Sequence, residues 1–219
     1  MLDLRFSIIE EYAPYFLSGT KYTIEISAAA IFFGTLLGLL LALARLSKKS
    51  LLSAPSAALV EIIRGTPLLL QLFIIYFGII PLIIQKPDGL IAASAALSIN
   101  AGAYISETFR AGIQSVPKEQ TEAARSLGLS WKQTMRYVIL PQALRNVLPP
   151  LGNSFVSLIK DSSLASVIAA PELMYWANAA NAQYYRVWET FLTTGCIYFL
   201  LTFLTNRALS FIEKQLSWD

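Results

Sequence analysis

Between Ile24 and Leu43 the chain runs for twenty residues with one charged side chain, Glu25. A stretch of that length matches the hydrocarbon thickness of a bilayer when helical, since about 20 apolar residues cross it. Lipid offers no hydrogen bonds, so such a segment is helical or it is not stable there. Three further stretches behave alike: Leu68 to Ile84, behind Pro67 at a favoured helix start; Leu90 to Phe109, rich in alanine and serine; and Phe191 to Ile212. A fifth, Leu148 to Ala170, is long enough to span but carries Lys160 and Asp161 near its centre. Across 219 residues, 55% are hydrophobic and 14% charged, against about 25% charged in soluble domains. The expectation is one all-α integral membrane domain with five transmembrane helices over 20–44, 67–85, 89–112, 146–170 and 188–213.

Five spans leave the termini on opposite sides, and the distribution of Lys and Arg chooses between the two orientations. Arg45, Lys48, Lys49, Arg110, Lys118, Arg125, Lys132, Arg136, Arg145, Arg207 and Lys214 fall on one side. Arg5, Lys21, Lys86 and Arg186 fall on the other, with Arg64 and Lys160 bordering or inside spans. Eleven against four puts the N-terminus outside and the C-terminus in the cytoplasm. No basic segment followed by a short apolar run opens the chain, so a cleavable signal peptide is not expected. The absence of histidine and the single cysteine, Cys196, exclude His-based metal or acid–base chemistry and any intrachain disulfide. Cys196 reads as a small buried apolar residue. Gly34 and Gly38 form a G-x-x-x-G face, read as intrachain close packing. Glu25 is read as snorkelling, without a role.

The residues 115–142 stand apart. They gather charge on the cytoplasmic side, in "EQTEAARSLGLSWKQTMRYVILPQAL" from Glu119. Pro117 favours a helix start, and Gly128 sits where a helix C-terminal glycine belongs. Ser130 with Gln133 matches a capping box. The pattern predicts a helix, a tight glycine turn and a second helix to about Tyr137, stopped by Pro141. Leu127, Met135 and Val138 supply apolar anchors, and Ala123–Ala124 permits close approach by another surface. On pattern alone, a docking element for a partner groove and an amphipathic hairpin at lipid headgroups fit equally.

"EAARSLG" followed by "VILP" resembles the EAA loop of importer-type ABC transporter permeases, at Glu122, Ala123, Ala124, Gly128, Val138, Leu140 and Pro141, with valine for the usual isoleucine. "VEIIRGTPLLLQLFIIYFG" from Val60, "AYISETFRAGIQSVPKEQTEAA" from Ala103 and "NSFVSLIKDSSLASVI" from Asn153 are similar to signatures of polar amino acid permeases of the histidine/glutamine/arginine type. The resemblance implies the type I ABC importer permease fold in a bacterial plasma (inner) membrane. It also implies a second permease subunit, identical or closely related, two ATPase subunits, and an extracytoplasmic amino acid-binding protein. In that family the loop is the coupling helix, so Glu122, Ala123, Ala124 and Gly128 are the expected ATPase-coupling residues. No G-x-x-x-x-G-K-[ST] loop occurs, so no cofactor is expected on this chain; ATP and Mg belong to the partner. No nucleic acid partner is expected, and the chain is not expected to be an enzyme.

Intramembrane polar residues are costly and need a partner or a role. Asn153, Ser157 and Asp161 fall at i, i+4 and i+8 on one helical face, with Lys160 about 100° away. Ser162 and Ser163 lie at the same depth. The candidate substrate pathway is Asn153, Ser157, Lys160, Asp161, Ser162, Ser163 and Arg64. The competing reading is structural charge pairing. Asn100, Tyr104 and Glu107 share another face, with Glu107 read as a pair with Arg110. Glu61 and Arg64, at i and i+3, read as a structural pair that sets the second span's entry, the alternative being that Arg64 meets a substrate carboxylate. An ion-gradient-driven secondary transporter is the alternative function, disfavoured because the chain lacks the paired repeats such proteins commonly show. A membrane scaffold would leave Lys160 and Asp161 without purpose.

Overall fold

The computed structural model describes residues 5–47 and 49–216. Lys48, one of the basic residues used above for orientation, lies outside them. The described residues form helices and no strands.

Helix α1 runs from Ser7 to Arg45, 39 residues, so it begins well before residue 20. The added turns are held by burial: Tyr12 and Phe16 pack on Leu173, Ala177 and Ala180. Glu10 and Arg45 lie in the first and last turns, the polarity favoured by the helix dipole. Helix α5, Gly89–Gln114, starts at Asp88, whose carboxylate accepts from the N–H groups of Leu90 and Ile91 at 2.8 and 3.0 Å. The two helices meet at Gly34 and Gly38. A Cβ on Gly34 would come within 2.9 Å of Ala101, and one on Gly38 within 2.8 Å of Ile105 and 2.9 Å of the Gly102 carbonyl. The G-x-x-x-G face is therefore spent on intrachain packing, as expected.

Helix α2, Ser50–Arg64, was not anticipated. It buries Val60 and Ile63 against Leu41 and Ala103 while most of its other side chains are exposed. At Gly65-Thr66-Pro67 the chain turns, and Ser50–Arg64 meets Leu68–Ile83 at 105°. Pro67 has no N–H and sits in extended backbone. Gln71 serves the carbonyls freed at this corner: its amide donates to Ile63 O at 2.7 Å and Thr66 O at 3.1 Å, while its own oxygen accepts from Asn100 at 3.0 Å. The following run is α3 (Leu68–Phe73), a π turn (Ile74–Ile79) and α4 (Ile80–Ile83). Pro81 cannot donate to the carbonyl four residues back, and the widened turn precedes it.

After α6 (Lys118–Ser126), a long helical run passes through α7 (Trp131–Thr134), a π turn (Met135–Ile139) and α8 (Leu140–Asp161). Pro141 does not stop the helix as expected; it sits in the first turn of α8, directly behind the π turn. Nor is 146–170 a single helix. The α-helix ends at Asp161 and tightens to a 3₁₀ helix, Ser162–Ile168. Ser162 Oγ donates to Ile159 O at 2.8 Å and Ser163 Oγ to Lys160 O at 2.6 Å. These i−3 bonds compete with the α ladder. Lys160 and Asp161 thus occupy a helix end rather than a helix centre.

The chain closes with α9 (Leu173–Tyr184), also unanticipated, and α10 (Val187–Leu216). Cys196 on α10 is exposed, not buried as its sequence context suggested. By length and composition three described helices can cross a membrane (Ser7–Arg45, Gly89–Gln114 and Val187–Gln215), and four if the bent pair is one span. α8, the counterpart of the remaining expected span, falls short of that standard. It carries Arg145, Lys160 and Asp161 together with Pro149 and Pro150.

Candidate functional site

A cavity of about 780 Å³ opens where the α2–α3 corner, α5 and α8 converge. Asn153, Ser157 and Asp161 line it from α8; Asn100, Tyr104 and Glu107 line it from α5; Arg64 enters from α2. The two polar faces read separately in the sequence therefore look into one space. Helical spacing accounts for each stripe, and the corner at Gly65-Thr66-Pro67 brings Arg64 to them.

The other candidate pathway residues are placed elsewhere. Lys160 and Ser163 line a separate cavity of about 310 Å³ with Met174, Thr194 and Tyr198. Ser162 is buried, lines neither, and gives its hydroxyl to Ile159 O. Grouping these three with Asp161 fails in the geometry for two reasons. Lys160 is rotated by about 100° from Asp161, and beyond Asp161 the 3₁₀ winding changes which way successive side chains face.

Arg64 does not pair with Glu61 as expected. It reaches across to α5, 3.3 Å from Glu107 Oε1, with its guanidinium 5.3 Å from the centre of the Tyr104 ring. Glu107 also accepts from Arg45 of α1 and, at 2.7 Å, from Arg110 one turn along α5. The Glu107–Arg110 pair matches its i, i+3 spacing. The other two join residues far apart in sequence, which no local pattern reveals. One carboxylate thus ties α1, α2 and α5 beside the cavity.

A second carboxyl group escaped notice. Glu172 is fully buried and caps α9, accepting from the N–H groups of Met174 and Tyr175 at 2.8 and 2.7 Å and from the Tyr198 hydroxyl at 2.9 Å. Its available signal was a carboxylate directly after Pro171 and before a run of helix-compatible residues.

The segment after α5 forms a compact knuckle. Gly128 has φ +86°, the left-handed region that glycine occupies without cost. Its N–H bonds Arg125 O at 3.0 Å, and Leu129 N–H bonds Ala124 O at 3.2 Å. Ser130 and Gln133 make the reciprocal capping box. Glu122 and Ala123 are exposed, whereas Ala124 is buried within the segment, so only one alanine of the pair is available to another surface. Met135 and Val138 likewise turn inward, onto Val116, Ile139 and Ala143. Leu127 faces outward as expected, and the exposed aromatic companions are Trp131 and Tyr137.

A helical bundle with apolar exterior faces, a polar cavity between its helices and an exposed two-helix knuckle defines a membrane transport component. Residues 34–218 match the model of the binding-protein-dependent transport system inner membrane components, and the chain belongs to that family. It is accordingly a multi-pass inner-membrane protein of the permease type. The probable amino-acid ABC transporter permease protein YckA of Bacillus subtilis (strain 168) is 42% identical over 205 residues, 94% of this chain and 90% of that protein. The L-cystine transport system permease protein TcyB of the same strain is 41% identical, covering 94% and 88%. A crystal structure described as an amino acid ABC transporter with histidines superposes with a TM-score of 0.91 at 38% identity, covering 98% of this chain and 100% of that one. An inward-facing MetNI methionine ABC transporter shares the fold, with a TM-score of 0.82 at 21% identity. The resemblance to amino acid permeases and the type I importer fold are borne out.

Proposed function

We propose that this chain is the permease subunit of an ATP-driven importer of polar or basic amino acids. It forms the translocation pathway with a second permease subunit, and the knuckle at Glu122, Ala123 and Gly128 docks one of two cytoplasmic ATPase subunits. An extracytoplasmic binding protein delivers the substrate, and ATP on the ATPase subunits biases an alternating-access equilibrium. The chain crosses the membrane five times, with its N-terminus outside and the knuckle and C-terminus in the cytoplasm. Its own residues bind no cofactor and catalyse no bond change.

The observation that carries this reading is the large cavity, which holds Asp161 on α8 and Arg64 on α2 among the amide and hydroxyl groups of Asn100, Asn153 and Ser157. Groups of both charges in one cavity suit a zwitterion. Asp161 complements an ammonium or guanidinium group and disfavours an acidic side chain. Lys160, whose charge tempers that preference, lines another cavity. Relatives described as glutamine and arginine permeases, 38% and 34% identical, agree with this class.

The test is reconstitution of the permease with its ATPase and binding protein in liposomes, followed by uptake of L-arginine, L-glutamine and L-glutamate. ATP-dependent uptake of the first two is expected, with Asp161→Asn lowering it while assembly persists. Uptake that follows an ion gradient and ignores ATP would establish the secondary-transporter alternative instead.

A further inference from the structure

The three arginines around Glu107 are not equivalent. Arg45 and Arg110 are its short partners, and neither lines the large cavity. Arg64 stands further off at 3.3 Å, on the same oxygen that Arg45 already bonds. Its side chain is the most exposed of the three, 41% against 14% for Arg45 and 35% for Arg110. It also lines the cavity itself. Releasing Arg64 leaves Glu107 with two guanidinium partners, so the carboxylate is never stranded. Three cations against the carboxylates of Glu107 and Asp161 still leave one positive charge in excess around the cavity, which attracts a further anion. The Tyr104 ring beneath the guanidinium offers a cation–π platform that does not depend on Glu107.

We propose that Arg64 is the residue that recognises the free α-carboxylate of the transported amino acid, and that Glu107 is a positioning residue that holds Arg64 when the cavity is empty. This rests on the reading of the cavity as an amino acid site. The incoming carboxylate exchanges with Glu107 for the Arg64 guanidinium, whose planar fork suits bidentate pairing, while the substrate's ammonium faces Asp161. Glu107 also stands on a boundary. A second cavity, about 640 Å³, continues between α5 and α8 toward Ser115 and Asn146, and it shares Glu107, Thr108 and Pro150 with the first. The exchange therefore takes place at the wall between the two spaces, where occupancy can be felt on both sides.

The experiment is equilibrium binding to the purified permease–ATPase complex in nanodiscs, using L-arginine and L-argininamide, which lacks the carboxylate charge. The wild-type complex is expected to prefer the acid. Arg64→Gln should weaken the acid roughly tenfold or more while leaving the amide unchanged, and Arg64→Lys should lie between. Glu107→Gln should act in the opposite direction, tightening the acid alone because the competing carboxylate is gone. A general structural defect would weaken both ligands together. An acid-to-amide ratio unchanged by both Arg64→Gln and Glu107→Gln overturns the assignment of Arg64 while leaving the cavity as an amino acid site. Failure of the wild-type complex to bind either compound overturns the site itself, and this inference with it.

Discussion

Replacing Glu172 by glutamine should destabilise the protein, by an amount that follows from how its two oxygens are used. Oε1 accepts from the Tyr175 N–H, and Oε2 accepts from both the Met174 N–H and the Tyr198 hydroxyl. A glutamine keeps one acceptor and places an NH₂ donor at the other position. In its better orientation it faces Tyr175 N–H with that donor and orphans one buried group, at a cost of about 1–3 kcal/mol. The remaining bonds lose their charge assistance, while relief from burying a carboxylate offsets part of this. Taking about 2 kcal/mol, and about 2–4 °C of Tm per kcal/mol for a chain of this size, the melting temperature should fall by roughly 4–8 °C. Glu172→Ala removes every acceptor and should cost more. Tyr198→Phe removes one donor and should cost about 1 kcal/mol in the wild-type background and less beside Glu172→Gln. The assay is thermal unfolding of the detergent-solubilised protein followed by tryptophan fluorescence. A Glu172→Gln protein as stable as wild type, or more so, would show that the burial penalty exceeds the capping gain and would refute this account.

Gly38→Leu should lower the melting temperature through overpacking worth about 1–3 kcal/mol or more, because a Cβ there already meets Ile105 and Gly102 below 3 Å. Gly195→Ala, inside α10 with nothing within 4 Å, should hold it or raise it slightly, by up to about 1 kcal/mol of helix propensity; a loss equal to that of Gly38→Leu would discount the α1–α5 contact. At Gly128 a Cβ also meets nothing within 4 Å, so Gly128→Val acts through φ alone, at a cost on the order of 1 kcal/mol or more. It should weaken pull-down of the ATPase subunit more than Gly128→Asn does, and equal retention of both would remove the turn from the docking surface. Ser130→Cys, with Cys196 replaced because it too is exposed, should resist an impermeant thiol reagent added outside intact cells; labelling from outside would reverse the orientation.

Where local chemistry decides the structure, the sequence was informative. The Gly128 turn and the Ser130–Gln133 box are set by backbone needs within four residues, and the α8 face follows from helical spacing. Intrachain packing of Gly34 and Gly38 was legible because small residues permit close approach, but that α5 is the partner was not. What escaped depends on distance or competition. Helix α2 is too short to span a bilayer and carries Pro55, so no span-length apolar run marks it; the surface it shares with Leu41 and Ala103 stabilises it. The attachment of Arg45 and Arg64 to Glu107 links residues 62 and 43 positions apart. The parting of Ser162 and Ser163 from Asp161 turned on their hydroxyls bonding i−3 carbonyls where the α winding ends at Asp161, whereas that of Lys160 follows from helical spacing.

The run from Trp131 through the π turn to Asp161 is helical without a break. At about 1.5 Å per residue it reaches over 40 Å. Its near end is the capped start of the knuckle, and its far end carries the charge that faces the large cavity. No joint between separate helices lies between Trp131 and Asp161. Its regular winding is interrupted by the widened turn at Met135–Ile139, with Pro141 just behind it, and its hydrogen-bond ladder by the Pro149–Pro150 pair. Stiffness between those two points sets how much of a stroke applied at the surface reaches the cavity wall, and how much is absorbed as bending on the way.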